Sequence, residues 1–506
     1  MKIFRKLYLL MSLAVVLPFA SCSDDDNDSR FETIDIPSEL LAEGIAVEPA
    51  GGITSFVAKS SVPVQTRVES ADVDEEGKPA DASWLTTSVA GDIANGYTVT
   101  VTTQPNEGKT ARSAKVHVFA QNVARTVLVK QTSAYVVPEP GPDATIKDIS
   151  AIDLVKLMTT GINIGNTMEV PSGETGWGNP KVNQDYIKGL KALGFNAVRV
   201  PCAWDSHVTD KNKNTIDPDW LARVDEVVGW IVAEDMYAIV NIHWDGGWLE
   251  NNVQNAYSEE INKKQHDYWT QIAGQLKHYD EHLLFAGMNE PGYNTDAQAE
   301  QSVQNIIKYQ QTFINAVRAT GGNNSLRHLV VQAPSTNIDL SVKDNYIKHM
   351  PVDPVSGKLF VEVHFYDPSD FTILEKDNDW FQGSRVKWFW GAANLVAGSD
   401  RNSTGHDENS VATQFAKMKS AYADKGIPVI LGEYSSAIRA NATPLDKHEA
   451  SRALWNEVVT REARKNGCIP FYWETGGDIS RTDGKAKCQY AIDGIMRGVQ
   501  ASAYPF

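Results

Sequence analysis

Leu283-Leu-Phe-Ala-Gly-Met-Asn289-Glu290-Pro291 is a short apolar run that stops abruptly in an amide, a carboxylate and a proline. It reads as a buried strand delivering Glu290 at its tip. Ile427-Pro-Val-Ile-Leu-Gly-Glu433-Tyr434 has the same form, ending in a carboxylate and a phenol. In a (β/α)₈ barrel the parallel strands bring their C-terminal ends to one face. Distance along the chain therefore does not keep the two carboxylates apart, and two acids on one face are what cleavage of a glycosidic bond requires.

Outward from these runs, short apolar stretches alternate with amphipathic ones, the βαβα texture of a parallel sheet. Eight strands are expected at Gly161–Gly165, Ala197–Pro201, Tyr237–His243, Leu284–Glu290, His328–Ala333, Leu359–Tyr366, Val429–Tyr434 and Ile469–Trp473. Helices are expected between most of them, at Asn183–Leu193, Asp219–Glu234, Glu259–His278, Glu300–Thr320, Ser410–Asp424 and Lys447–Asn466. Residues 31–135 have a different texture. Tyr97–Thr102, Ala114–Phe119 and Thr126–Lys130 alternate apolar and polar residues between Asn- and Gly-rich turns, which predicts a small immunoglobulin-like β-sandwich without helical periodicity. Between the domains, residues 136–144 carry Pro138, Pro140 and Pro142, a stiff extended connector. The barrel is expected over 145–506.

Residues 1–21 have a basic start, an apolar core and small residues before Cys22, the pattern of an export signal. Phe19-Ala20-Ser21-Cys22 resembles a bacterial lipobox, and the acidic run at 22–30 resembles the tether of surface lipoproteins. That resemblance implies a lipid on Cys22, an outer-membrane anchor and exposure at the cell surface. The net charge of −17 moves to −20 once Lys2, Arg5 and Lys6 are removed with the signal, which disfavours a nucleic-acid partner. Thirteen Trp and seventeen Tyr suit a neutral polymer instead. Cys202, Cys468 and Cys488 show no metal-ligand spacing, and the eleven His form no His-Glu-x-x-His pattern, so neither a metal nor another cofactor is expected. A Cys468–Cys488 bridge is disfavoured, since Cys468 opens a strand at the barrel bottom while Cys488 follows a loop at the top. A monomer is expected.

Six motifs then carry a specific resemblance: Asn196-Ala-Val-Arg199-Val-Pro201, Val240-Asn-Ile-His243-Trp244, Asn289-Glu290-Pro291, Glu362-Val-His364-Phe-Tyr366, Gly432-Glu433-Tyr434 and Phe471-Tyr-Trp473. In order, they resemble the strand-end motifs of glycoside hydrolase family 5 over about residues 145–500. The resemblance implies a retaining mechanism with Glu290 as acid/base and Glu433 as nucleophile. It also implies that Asn289 meets the sugar 2-hydroxyl, that Arg199 and Tyr366 hold Glu433, that His243 and His364 line the cleavage site, and that Trp473 is a sugar platform. Glu290 must start protonated, which predicts its pKa above that of Glu433.

Gly161-Ile-Asn-Ile-Gly-Asn166-Thr-Met-Glu169, Glu174-Thr-Gly-Trp177-Gly-Asn-Pro180 and the His364 to Thr372 segment are most similar to subfamily 4 of that family, the endo-β-1,4-glucanases. Asn166 and Trp248 join the expected substrate-binding residues. Trp177, Trp244, Trp380, Trp388 and Trp390 are further candidate platforms, about half of them ordinary packing. The Trp380 to Trp390 segment is the expected cleft wall. Ser83-Trp84-Leu85 and the strand ending at Gln131 resemble a BACON domain, read here as a rigid spacer rather than a sugar-binding module, since Trp84 is as easily a core residue as a platform. The expected activity is retaining endo-β-1,4-glucanase on xyloglucan or mixed-linkage glucan. A xylanase or mannanase is the enzymatic alternative, because fold and acid pair do not select the sugar. A surface glycan-binding protein without turnover is the alternative of another class.

Overall fold

The computed structural model describes residues 32–72, 79–108, 110–135, 140–292 and 299–506. Cys22 and its tether lie outside the described residues, as do 136–139 of the connector. The chain divides into two compact units at Val136/Val137.

The first unit is a sandwich of two four-stranded sheets. One sheet runs Ile34–Asp35, Gly52–Ser60, Gly96–Thr103, Leu85–Asp92, and the other Ile45–Val47, Ala124–Gln131, Arg112–Phe119, Gln65–Ser70. Alternation places Val99, Val101, Val116, Val118, Val127 and Val129 fully inside. Trp84 is buried as well, with the Arg112 guanidinium 4.4 Å above its ring, so it serves as packing and not as a ligand platform. One helix, Ser38–Glu43, departs from the expectation of an all-strand domain. Six residues are too few to display a 3.6-residue period, and this helix buries none of its side chains.

The second unit is a closed barrel of eight parallel strands: β1 (Gly161–Ile164), β2 (Ala197–Val200), β3 (Tyr237–Asn241), β4 (Leu283–Ala286), β5 (Leu329–Gln332), β6 (Leu359–His364), β7 (Val429–Tyr434) and β8 (Cys468–Glu474). Every residue of β1 to β5 and β7 is buried, which is why these strands read as continuous apolar runs rather than alternating ones. The surrounding helices begin where the side-chain chemistry dictates. Asn183, Ser258 and Asp407 cap theirs by accepting backbone N–H groups, and Asp217 does so ahead of Pro218.

Two boundaries change how the site is built. β4 ends at Ala286, so Asn289 and Glu290 stand on the loop beyond the strand rather than at its paired tip. The pairing of β7 shifts register against both β6 and β8 around Gly432 and Glu433. Such a bulge re-aims a side chain. Cys202, Cys468 and Cys488 are free thiols.

Candidate active site

At the C-terminal end of the barrel the buried Arg199 of β2 organises the floor. Its Nη1 donates to Glu433 Oε1 at 3.0 Å and to Asn163 Oδ1 at 3.0 Å. Its Nη2 donates to Asn289 Oδ1 at 2.7 Å and pairs with Glu362 Oε1 at 3.0 Å. Because the Asn289 carbonyl is occupied by Arg199, its NH₂ is the group left to face a ligand. The Tyr366 hydroxyl donates to the second Glu433 oxygen at 3.0 Å. Glu433 is thus held at both oxygens.

The bulge at Gly432 has its own support. Asn163 Nδ2 donates to the Gly432 carbonyl at 2.8 Å, and a Cβ on Gly432 would lie 1.9 Å from Glu362 Oε1. Only glycine leaves room for the Glu362 carboxylate beside the strand that carries Glu433.

Glu290 is held differently. Its side chain is 46% exposed, its Oε1 lies 2.6 Å from His364 Nδ1, and its backbone N–H donates to Glu250 Oε1 at 2.6 Å. His364 in turn reaches Glu362 Oε1 through Nε2 at 3.2 Å, while Gln332 donates to the other Glu362 oxygen at 2.6 Å. Oxygens of Glu290 and Glu433 and a nitrogen of His364 all lie within 4.8 Å of one another.

Protons in this cluster are shared among coupled groups. Burial opposes a charge on His364, yet Glu433, Glu290 and Glu362 outweigh it and push the imidazole up to about 10. Burial likewise raises Glu290, but the hydrogen bond and charge of His364, with Arg199, hold its carboxyl below the ordinary value. Burial raises Glu433 above its ordinary value, against the pull of His364 and Arg199. The charge of His364 thus favours an ionised Glu290 in the ligand-free site, against the protonated state expected of an acid. The reason is geometric: the imidazolium sits on Glu290, so the mobile proton resides on His364. His243 is the opposite case. Burial, then the charges of Arg199 and His364, hold it well below its ordinary value and neutral. Its Nδ1 meets the Asn241 amide at 3.3 Å, and its ring lies parallel to that of Trp473.

The site has two hollows. One, of about 610 Å³, is lined by Asn166, Glu433 and Trp473, and the other, of about 230 Å³, by Asn337, His364 and Asp367; Glu290 and Tyr366 line both. Asn166 holds a left-handed backbone (φ 55°) because the buried Glu169 accepts its N–H and, at 2.9 Å, that of Thr167.

Arg199, His243, Asn289, Glu290, His364, Tyr366, Glu433, Trp473 and Asn166 thus come together. Trp248 does not. Its indole N–H is taken by Asp245 at 2.9 Å, and it packs, partly buried, against the cluster of Leu249, Val253 and Met288 and edge-on to Tyr268. Of the other tryptophans, Trp177, Trp244 and Trp380 are exposed, Trp390 is buried and Trp388 lies under Arg401. Asn163, Gln332, Glu362 and Glu250 are the supporting residues that reading the motifs alone missed. The first three are single polar residues inside apolar runs, a signal the sequence does carry.

A Cellulase (glycosyl hydrolase family 5) model matches residues 162–478, and a BACON model matches residues 70–132. The chain belongs to glycoside hydrolase family 5. It is a glycoside hydrolase of that family with an N-terminal BACON domain. Among family 5 relatives, the xyloglucan-specific endo-beta-1,4-glucanase BoGH5A of Bacteroides ovatus is 35% identical over 424 residues, 79% of this chain and 82% of that one. The structure of a Bacteroides ovatus GH5 xyloglucanase in complex with a XXXG heptasaccharide aligns with TM-score 0.63 at 31% identity, covering 92% of this chain and all of the other. XEG5B, a xyloglucan-specific beta-1,4-glucanase from a ruminal metagenomic library, aligns with TM-score 0.64 at 38% identity over 71% of this chain and 98% of its own.

Proposed function

We propose that the chain is a monomeric, retaining endo-β-1,4-glucanase of xyloglucan, with Glu433 as nucleophile and Glu290 as acid/base. One observation carries the mechanism. One oxygen of each carboxylate lies within 4.8 Å of the other, which supports the roughly 5–5.5 Å spacing of direct attack over the roughly 6.5–9.5 Å that seats a water between the groups. Glu433 attacks the anomeric carbon as the C1–O bond to the leaving sugar breaks. That oxygen takes a proton relayed through Glu290 from His364 Nδ1, 2.6 Å away, which leaves Glu290 ionised and His364 neutral. Glu290, now ionised, removes a proton from water, which displaces Glu433 and restores it. Arg199 and Tyr366 hold the attacking carboxylate in line, and the Asn289 NH₂ is placed for the 2-hydroxyl. The xyloglucan specificity of the relatives supports the choice of sugar.

The test is reducing-end release by the full chain from xyloglucan, mixed-linkage glucan, carboxymethyl cellulose, xylan and mannan, with NMR of the first anomer formed. Release from xyloglucan as the β-anomer is expected. An α-anomer, or release from xylan or mannan alone, rejects the reading.

The lipobox-like Phe19-Ala20-Ser21-Cys22 and its acidic run support the further proposal of an outer-membrane, surface-exposed lipoprotein. Palmitate labelling that survives Cys22→Ala removes it. The burial of Trp84 favours a spacer role for the sandwich.

A further inference from the structure

The two hollows that meet at Glu290 are unequal in chemistry. The larger contains Glu433, which bonds the anomeric carbon, so it holds the sugar that is transferred. The smaller contains Glu290 without Glu433, so it holds the sugar that leaves. A third hollow of about 450 Å³ adjoins the smaller one and shares Asp367 and Ser369 with it.

Nothing in the catalytic cluster uses this third hollow. Trp380 and Phe381, adjacent on its lining, are 49% and 64% exposed. Two of its lining groups, Ser384 Oγ on a side chain only 5% exposed and Asp370 Oδ1, are buried with no hydrogen-bond partner among the described residues. A buried polar group left unpaired is costly, so each calls for a reason. The segment holding the aromatics is cross-braced. Asp377 accepts from Arg401 at 2.6 and 2.9 Å and from the Val386 N–H at 3.0 Å, and the Asn378 N–H donates to the Ser384 carbonyl at 2.8 Å. The aromatics are thus pre-ordered, which lowers the entropic cost of binding.

A pyranose offers a C–H face for an aromatic ring and a fringe of hydroxyls that both donate and accept. An anionic sugar fits less well. Arg385 is paired with Asp377 at 3.1 Å and Asp400 at 3.6 Å, Lys387 Nζ donates to the Asp400 carbonyl at 2.9 Å, and Asp370, one of whose oxygens has no partner, is itself an acid. We infer that the hollow beyond Ser369 is a sugar site on the leaving-group side, taking a neutral pyranosyl unit stacked on Trp380 and hydrogen-bonded to Asp370 and Ser384. The assignment of sides rests on the proposed roles of Glu290 and Glu433. The unit is either a branch on the leaving strand or a backbone sugar farther along it.

The full chain and its Trp380→Ala, Asp370→Asn and Ser384→Ala variants would be compared on xyloglucan, on unbranched mixed-linkage glucan and on an aryl β-cellotrioside, whose leaving side is only the aryl ring. We expect kcat/KM on xyloglucan to fall about tenfold for Trp380→Ala and about threefold for the two conservative variants, with the aryl substrate unchanged. Loss confined to xyloglucan identifies a branch, and equal loss on both polysaccharides a backbone unit. Unchanged kcat/KM on both polysaccharides, or a parallel fall on the aryl substrate, overturns the site. If the wild-type chain cleaves neither polysaccharide, the endoglucanase reading falls and takes this site with it; active wild type with indifferent variants removes this site alone.

Discussion

Glu433 and Glu290 are both glutamates at the top of one barrel, yet the chain holds them in opposite ways. Glu433 lies within β7, buried, with Arg199 on one oxygen and Tyr366 on the other. Glu290 lies beyond the end of β4, half-exposed, with an imidazole on its side chain and a carboxylate on its backbone N–H. The difference follows the two jobs proposed for them. A nucleophile gains from being immobile and aimed, because attack depends on a narrow range of distance and angle. An acid/base has to exchange protons with the leaving oxygen and then with water, so it needs access and a neighbour that can lend a proton.

Removing each carboxylate is the sharpest way to break that contrast. Glu433→Gln should lower kcat by about 10⁴-fold or more on every substrate, since no bond to the anomeric carbon can form. Glu290→Gln should cost about 10³-fold on polysaccharide but far less on an aryl glycoside whose leaving group departs without a proton, measured as the first-turnover burst. Equal losses for both variants on both substrates would erase the distinction.

The rigid side can be probed without touching a carboxylate. Gly432→Ala places a methyl group where Glu362 Oε1 now sits, so a destabilisation of about 1–3 kcal/mol is expected by denaturant titration, together with lower activity. The mobile side has a milder probe in Glu250, whose carboxyl is raised to about 8 by burial and by the charges of Glu290 and Glu433, against the Glu290 N–H. Glu250→Ala frees the Glu290 backbone and should lower kcat about tenfold, whereas Glu250→Gln keeps the acceptor and should cost about twofold.

The smallest effect is on how stability changes with pH. A carboxyl raised in the fold contributes stability that is complete below its unfolded pKa and is lost as pH rises through the folded one. The melting temperature should therefore fall between about pH 5 and 8.5, and Glu250→Gln should flatten part of that slope, since its side chain stays neutral throughout.

Much of this was legible in the linear chain. Eight apolar runs, five of them closed by a polar or aromatic residue, specify a parallel barrel because a strand covered on both faces has no choice but to be apolar along its length. The positions of Arg199, His243, Asn289, Glu290, His364, Tyr366, Glu433 and Trp473 at the ends of those runs bring them to one face whatever the loops do. Trp248 misled because an indole suits packing and stacking equally, and only the loop core decides between them. The strand limits misled for Glu290, since apolar character continues through Met288 while pairing stops at Ala286.

What the sequence determined by itself was the fold class and which two acids meet on one face, because strand periodicity and strand ends are local. What only the tertiary structure decided was the state and support of those acids: the 4.8 Å cluster, the proton on His364, the Glu362 carboxylate that demands Gly432, and the grip of Glu250 on the Glu290 backbone. Each joins residues from different strands or loops. A proton affinity or a clash is set by the charge and volume of whatever lies nearest in space, and neighbours across a barrel leave no trace in their spacing along the chain.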